Sequence, residues 1–335
     1  MTWLGLDIGG ANLKAANAAG WEQSLPFALW RNPEGLAAAL AALVARAPEA
    51  DRLAVTMTGE LCDCFRTKAE GVRHILTAVC AVADQREVRV YLTDGRFVSV
   101  DEANEWPSLA AASNWRALAE FACQYAAGGA GLLIDVGSTT TDIVPIIGGR
   151  VAARGRNDTE RLAQHELLYS GVGRTPVCAV TRWLPWRDQL CPVAAELFST
   201  TADAYLLLAE ISEDPAAAWT ADGRPLTMEC ARQRLARQIC ADAEDLSPGD
   251  LNRMAGFIRD AQLTQSKEAI QSLLRAFPEP PGVVVVSGSG EFLAKLAAEI
   301  CLPKCPILRL SKHLGVDASQ CAPAFALSVL AKGGE

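Results

Sequence analysis

Residues 4–16 read LGLDIGGANLKAA, and residues 132–146 read LLIDVGSTTTDIVPI. In the first stretch Leu4, Leu6 and Ile8 alternate with Gly5 and Asp7, Gly9 and Gly10 turn the chain, and alternation resumes through Leu13 and Ala15. That pattern predicts a β-hairpin with an acid at the end of its first strand. Glycines without a Cβ let several backbone N–H groups converge on one small anion. Asp7 is then placed to reach a divalent cation, and Lys14 to meet the anion as a point charge. The second stretch repeats the design: an apolar strand runs into Asp135-x-Gly137, turns through Ser138, Thr139 and Thr140, and leaves on a strand carrying Asp142. A duplicated acid-glycine hairpin is far more specific than either copy alone.

At 335 residues the chain exceeds a single core, which predicts two domains. Its net charge of -8, with Lys and Arg scattered, excludes the basic footprint of a nucleic-acid binder but not a small anionic substrate. The most apolar run, LAAALAALVA at 36–45, is too short to cross a bilayer, and the N-terminus opens on a strand pattern rather than a leader. These features predict a cytoplasmic protein with no membrane partner, free to form a homo-oligomer. Its 11 cysteines are then reduced thiols; neither Cys62/Cys64 nor Cys301/Cys305 has zinc-finger spacing, and there are 3 histidines in all.

Further along, strands are expected at 3–8, 12–17, 52–57, 88–92, 131–136, 141–147 and 282–287. Helices are expected at 34–47, 68–83, 108–127, 158–170, 190–210, 227–242, 247–277, 290–300 and 318–332. This is an α/β chain, and Gly128, Gly129 and Gly131 mark the domain border. A third element, VVVVSGSGEFLA at 283–294, takes an apolar strand through Gly288 and Gly290 into a helix with Glu291 in its first turn. Strand ends of this kind border ligand crevices in open α/β sheets.

In this order the three motifs resemble the actin, sugar-kinase and Hsp70 superfamily. The resemblance implies two ribonuclease-H-like (actin-like ATPase) domains around a central cleft: residues 1–128, then 129–317, with the 318–332 helix returning to the first. It makes Gly9, Gly10, Asn12 and Lys14 one phosphate site and Gly137, Ser138, Thr139 and Thr140 a second. Gly288, Gly290 and Glu291 become an adenosine motif, and Asp7 and Asp135 the holders of magnesium; whether ATP binds is left open. More narrowly, DIGGANLKAA, TGELCDCFRTKAEGV, RLAQHELLYSGVGRTPVCAV, ADGRP and SGSGEFLA are similar to the hydantoinase/oxoprolinase-related family and its methanofuran-biosynthesis branch. That branch includes proteins encoded beside bacterial tetrahydromethanopterin-linked one-carbon genes. The resemblance implies a transferase that joins a furanylmethyl diphosphate to a phenolic amine or amino acid, (γ-glutamyl)tyramine or tyrosine, as an aryl ether.

Such chemistry needs donors where charge builds on the leaving diphosphate, each worth roughly 3–4 kcal/mol, and a base for the phenolic proton. Glu60 in TGELCD, just after the LAVTM strand, is the first candidate base and Asp63 the second, with Asp142 and Asp7 as further options. Arg154, Arg156 and Arg174 flank a helix expected to begin at Asp158, where a planar fork can clamp a phosphate or carboxylate, and Lys68 is another anion contact. His165 falls within that helix. Trp183 and Trp186 read more readily as packing than as a ring slot. Two rival readings share the motifs: an ATP-dependent small-molecule kinase or ATPase, and a non-catalytic nucleotide-switched module.

Overall fold

Strand β1 (Trp3–Ile8) is buried along its whole length, and β2 (Asn12–Asn17) returns antiparallel beside it with Asp7 opposite Lys14. The computed structural model describes residues 2–217 and 219–333, so Met1 of the expected first domain lies outside the described residues. With β3 (Glu22–Pro26), β4 (Arg52–Met57), β5 (Glu87–Tyr91) and β6 (Phe97–Val98), these strands form a sheet in the order β3-β2-β1-β4-β5-β6. A second sheet uses β7 (Gly131–Val136), β8 (Thr141–Ile147), β9 (Arg150–Val151) and β10 (Leu167–Leu168). A two-stranded hairpin of β11 (Trp183–Trp186) and β12 (Gln189–Pro192) stands apart, and β13 (Val283–Ser287) and β14 (Ile307–Arg309) complete the second sheet as β10-β8-β7-β13-β14.

Both sheets follow one plan. A central strand ending in an aspartate has an antiparallel return on one side and a parallel strand on the other: β2 and β4 beside β1, β8 and β13 beside β7. The apolar runs of β7 and β13 are those of strands covered on both faces, which is why their sequences do not alternate. This is the α/β ribonuclease-H-like duplication.

The Ala322–Gly333 helix lies on β1, β2 and β4 and against the Asn114–Ala122 helix. Contact is closest at Gly5, where an added Cβ would sit 1.9 Å from the backbone oxygen of Ala324. Backbone cannot yield as a flexible side chain does, so Gly5→Ala is expected to cost about 3 kcal/mol, read as a lower urea midpoint at unchanged slope.

Several expected helices are shorter than their patterns. The 108–127 helix breaks at Ala112, whose φ of +48° lies in the left-handed region, leaving Asn114–Ala122 as its main piece. The 318–332 helix divides at Cys321. Instead of 158–170, the helix is Asp158–Ala163, and its N-cap is Asn157, whose Oδ1 accepts from the Glu160 N–H, rather than Asp158. His165, at φ +59°, is an exposed turn residue and not helical, because sheet pairing recaptures the chain: the Ile143 N–H donates to Glu166 O at 2.8 Å and β10 pairs with β8. Of 190–210 only Thr201–Leu207 is helical, started by a capping box at Thr200, while Gln189–Pro192 pairs with Trp183–Trp186. Trp186 packs on the apolar cluster under that hairpin and Trp183 is exposed; neither reaches the cleft. Among the described residues no helix is long and apolar enough to cross a membrane.

Candidate active site

The two hairpin turns face each other across one cavity of about 450 Å³. Asp7, Gly9, Gly10, Asn12 and Lys14 line it from the first sheet, and Asp135, Gly137, Ser138, Thr139, Thr140 and Asp142 from the second. Glu60, Asp63 and Arg174 line the same cavity. Each turn closes in the same way: the Gly9 N–H donates to Asn12 O at 3.0 Å, and the Gly137 N–H to Thr140 O at 2.9 Å.

The duplicated positions differ in charge. Asp7 lies opposite Lys14, whereas Asp135 lies opposite Asp142. A second acid there requires a counter-ion, and Arg161 supplies it, donating to Asp142 Oδ1 at 2.7 Å and to Glu166 O at 2.8 Å while its guanidinium stacks 4.0 Å over Trp115. Burial raises the Asp142 carboxyl, and Arg161 opposes that rise. Asp142, a candidate base by sequence, is therefore occupied as an ion-pair partner.

Asp7 and Asp135 are both pushed up to about 6, first by burial. Lys14 opposes the rise at Asp7; the Ser287 hydroxyl, which donates to Asp135 Oδ1, opposes it at Asp135. Gly288 makes room for that arrangement, since a Cβ there would lie 2.8 Å from Asp135 Oδ1 and 2.3 Å from Val136 O. Asp7 receives no such hydroxyl, because its β4 neighbour Thr56 shares its own hydroxyl with Ser113 at 2.7 Å. Asp7 Oδ1 is buried without a hydrogen-bond partner. An orphaned carboxylate oxygen facing a second acid fits a divalent cation. Among the described residues no three His, Cys, Asp or Glu side chains cluster as a metal cage, so such a cation would complete its shell from water and phosphate oxygens, as magnesium does.

Glu60 is 1% exposed, with Oε2 unpartnered, and burial pushes its carboxyl up to about 8. Asp158 adds to that rise; Lys68 and the backbone N–H groups of Glu60 and Ala112 counter it. The Ala112 kink thus delivers a donor to Glu60, and Ser113 holds it in place, its Oγ donating to Tyr91 O at 2.7 Å. Backbone held in this region is strain of order 1 kcal/mol, of the kind that gathers at functional sites.

Six sequence candidates for binding do not line the cavity. Arg154 and Arg156 are exposed and do not line the cleft; Arg154 borders a separate hollow on the far side of β8. Their loop is directed there because Glu166 accepts from the Arg154 and Gly155 N–H groups. Lys68 is bound to Asp158 at 2.7 Å. Glu291 is held by Arg309, Ser311 and Ser319. Gly288 and Gly290 also fall outside the cavity lining: at Gly290 an added Cβ would meet Val136 and Val172 side chains at 2.4 and 2.7 Å, so the space at this glycine is filled by packing.

Trp30, Trp115, Arg161 and Tyr169 line the cavity and were not singled out by sequence. The one available signal was Arg161 and Tyr169 lying in a segment already rich in arginine. Trp30 and Trp115 carry no motif; only the fold brings them to the cleft.

Comparison with known proteins places these features in context. The model of the hydantoinase/oxoprolinase family matches residues 51–330. The chain is 33% identical over 330 residues, 98% of its length and 96% of the relative's, to the (4-{4-[2-(gamma-L-glutamylamino)ethyl]phenoxymethyl}furan-2-yl)methanamine synthase of Methanocaldococcus jannaschii. It is 32% identical over 208 residues, 60% of its length and 90% of the relative's, to the protein of the same description from Methanococcus vannielii. Among solved structures, nucleotide-free acetone carboxylase superposes with a TM-score of 0.51 at 11% identity, over 95% of this chain. The chain spans about half of that carboxylase chain, 51%.

Proposed function

The chain belongs to the hydantoinase/oxoprolinase family, and from that premise we propose that its cleft condenses a furanylmethyl diphosphate with the phenol of (γ-glutamyl)tyramine or tyrosine. The product is an aryl ether and diphosphate is released, so the chain is a transferase of methanofuran-type cofactor biosynthesis, working in the cytoplasm. The relatives' shared description names a phenoxymethylfuran, which contains the ether this reaction makes. The observation that carries the reading is the convergence of both acid-glycine hairpins and Glu60 on a single cavity.

The phenol oxygen forms a bond to the furanylmethyl carbon as the bond from that carbon to diphosphate oxygen breaks. Diphosphate leaves with the electron pair, and the phenolic proton passes to the Glu60 carboxylate. The turn N–H groups of Gly10 and of Ser138, Thr139 and Thr140, with Lys14, orient the diphosphate and meet the charge it gains. Asp7 and Asp135 would hold magnesium, which would neutralise part of that charge. A conjugate acid near 8 suits a phenol near 10 far better than an unperturbed glutamate would. Residues 1–128 with 318–332, and 129–317, are the two lobes we assign to this cleft; the separate sheets support the division.

The rival kinase reading needs an adenine slot at Gly288 and Gly290, and the valines packed at Gly290 weigh against it. Incubation with magnesium, a furanylmethyl diphosphate and either phenol is expected to yield ether and diphosphate in equal amounts by mass spectrometry. ATP turnover without ether would favour the kinase, and neither activity would favour the switched module.

A further inference from the structure

The cations in and beside the cleft differ in what already occupies them. Lys68 donates to Asp158 at 2.7 Å, and Arg161 to Asp142 at 2.7 Å. Lys14 lies opposite Asp7 and in the field of Asp135. Arg174 has no ion pair or side-chain hydrogen bond among the described residues. Its guanidinium instead stacks 4.0 Å from the centre of the Trp30 ring, which comes from the opposite lobe. Its backbone is fixed, the N–H donating to Ser138 O at 2.8 Å. The side chain is half-buried, and burial lowers its pKa, so its charge is incompletely compensated.

Arg174 lines the cavity together with Cys62, Asp63 and Tyr169. Those three and Arg31 are the titratable and charged groups that act on it. Asp7, Asp135, Asp142 and Lys14 form a different neighbourhood and act on one another. Arg174 is thus the cleft cation that those strand-end acids do not engage.

Resting on the ether-forming reading above, we propose that Arg174, held over the Trp30 ring, takes a carboxylate on the acceptor, so that the cleft selects phenols bearing a carboxylate at their far end. A planar guanidinium presents two parallel N–H bonds to a carboxylate, a geometry that a lysine ammonium lacks. Loss of such charge-assisted bonds corresponds to about 10- to 100-fold in kcat/KM.

The test compares tyrosine and γ-glutamyltyramine with tyramine, which has no carboxylate, in the natural protein, Arg174→Gln and Arg174→Lys. The natural protein is expected to favour the two carboxylate acceptors by about 10- to 100-fold. Arg174→Gln is expected to bring them down to the level of tyramine with the KM for the furanylmethyl diphosphate unchanged, and Arg174→Lys to recover part of the preference. An equal loss for all three phenols, or a raised KM for the diphosphate, would assign Arg174 to the leaving group and overturn the proposal. Equilibrium dialysis of radiolabelled tyrosine and tyramine repeats the comparison without turnover. A tyrosine preference lost in Arg174→Gln supports the assignment even if no ether forms, and no preference in the natural protein overturns it. Thermal melting of each variant shows whether folding is intact.

Discussion

Glu60→Gln is expected to lower kcat about 10²- to 10⁴-fold, the range for loss of a positioned general base, with a much smaller change in the KM for the furanylmethyl diphosphate. The pH profile gives the sharper test. A base must be deprotonated to act, and burial sets the Glu60 carboxyl at about 8, so kcat/KM of the natural protein should rise with pH through about 8. That limb should vanish in Glu60→Gln and leave only the titration of the phenol itself near 10. Stability should move the opposite way. The folded pKa lies above the ordinary 4.5, so folding favours the protonated form. The resulting stability is full below the unfolded pKa and is lost as pH rises through 8. Glutamine keeps the shape without the charge, so at pH 9 the variant should be more stable than the natural protein by on the order of 3–5 kcal/mol, at 1.36 kcal/mol per pKa unit. A variant that is inactive yet melts higher at pH 9 cannot be dismissed as misfolded. If kcat is retained, Glu60 is not the base, and Asp63, which lines the same cavity, becomes the candidate.

The fold was legible where local pattern and tertiary role agree. β1, β2, β7 and β8 follow from alternation and apolar runs ending at an acid and glycines, and the Lys68–Ala83 helix has both a Thr67 cap and a clean periodicity. Legibility failed where long-range pairing overrode the local preference. Nothing near residue 165 announces that Glu166 O will accept from Ile143, yet that bond stops the expected helix. Ala112 reads as a helix former, and its left-handed turn is fixed by Ser113 bonding to Thr56 and Tyr91, which are remote in sequence. The site divides along the same line. Turn glycines and strand-end acids are encoded within a few residues, so both hairpin turns that line the cavity could be named in advance. Arginines could not be sorted by sequence, because Arg154, Arg161 and Arg174 are all plausible cations within one segment. Their roles depend on which of them meets Trp115 or Trp30 across the cleft.

The two strand-end aspartates carry the other large expected effect. Asp7→Asn and Asp135→Asn should each lower kcat/KM by about 10²-fold or more, and the loss should be deepest at low magnesium, because in the proposed reaction each removes a charge from the place where diphosphate and cation would meet. Asparagine keeps the volume and a carbonyl oxygen, so the loss reports charge rather than packing. Both carboxyls sit near 6 in the cleft against an ordinary 3.8, so proton competition should weaken magnesium-dependent diphosphate binding as pH falls through 6. Titration calorimetry with magnesium and diphosphate at pH 5 and pH 8 measures this directly. Without the cation, the sign of the stability effect is again the reverse of that on activity. A raised folded pKa means stability present at acid pH and lost as pH rises through 6. At pH 8, removing either charge should therefore stabilise the chain by about 2–3 kcal/mol, at 1.36 kcal/mol per pKa unit. Asp7→Asn should gain the more cleanly, because Asp7 Oδ1 has no partner to lose, whereas Asp135→Asn disturbs the bond from Ser287. Magnesium with diphosphate should raise the melting temperature of the natural protein and have little effect on Asp7→Asn. Equal shifts in both would show that the ligand is held without Asp7, and the shared metal-diphosphate cradle would have to be abandoned.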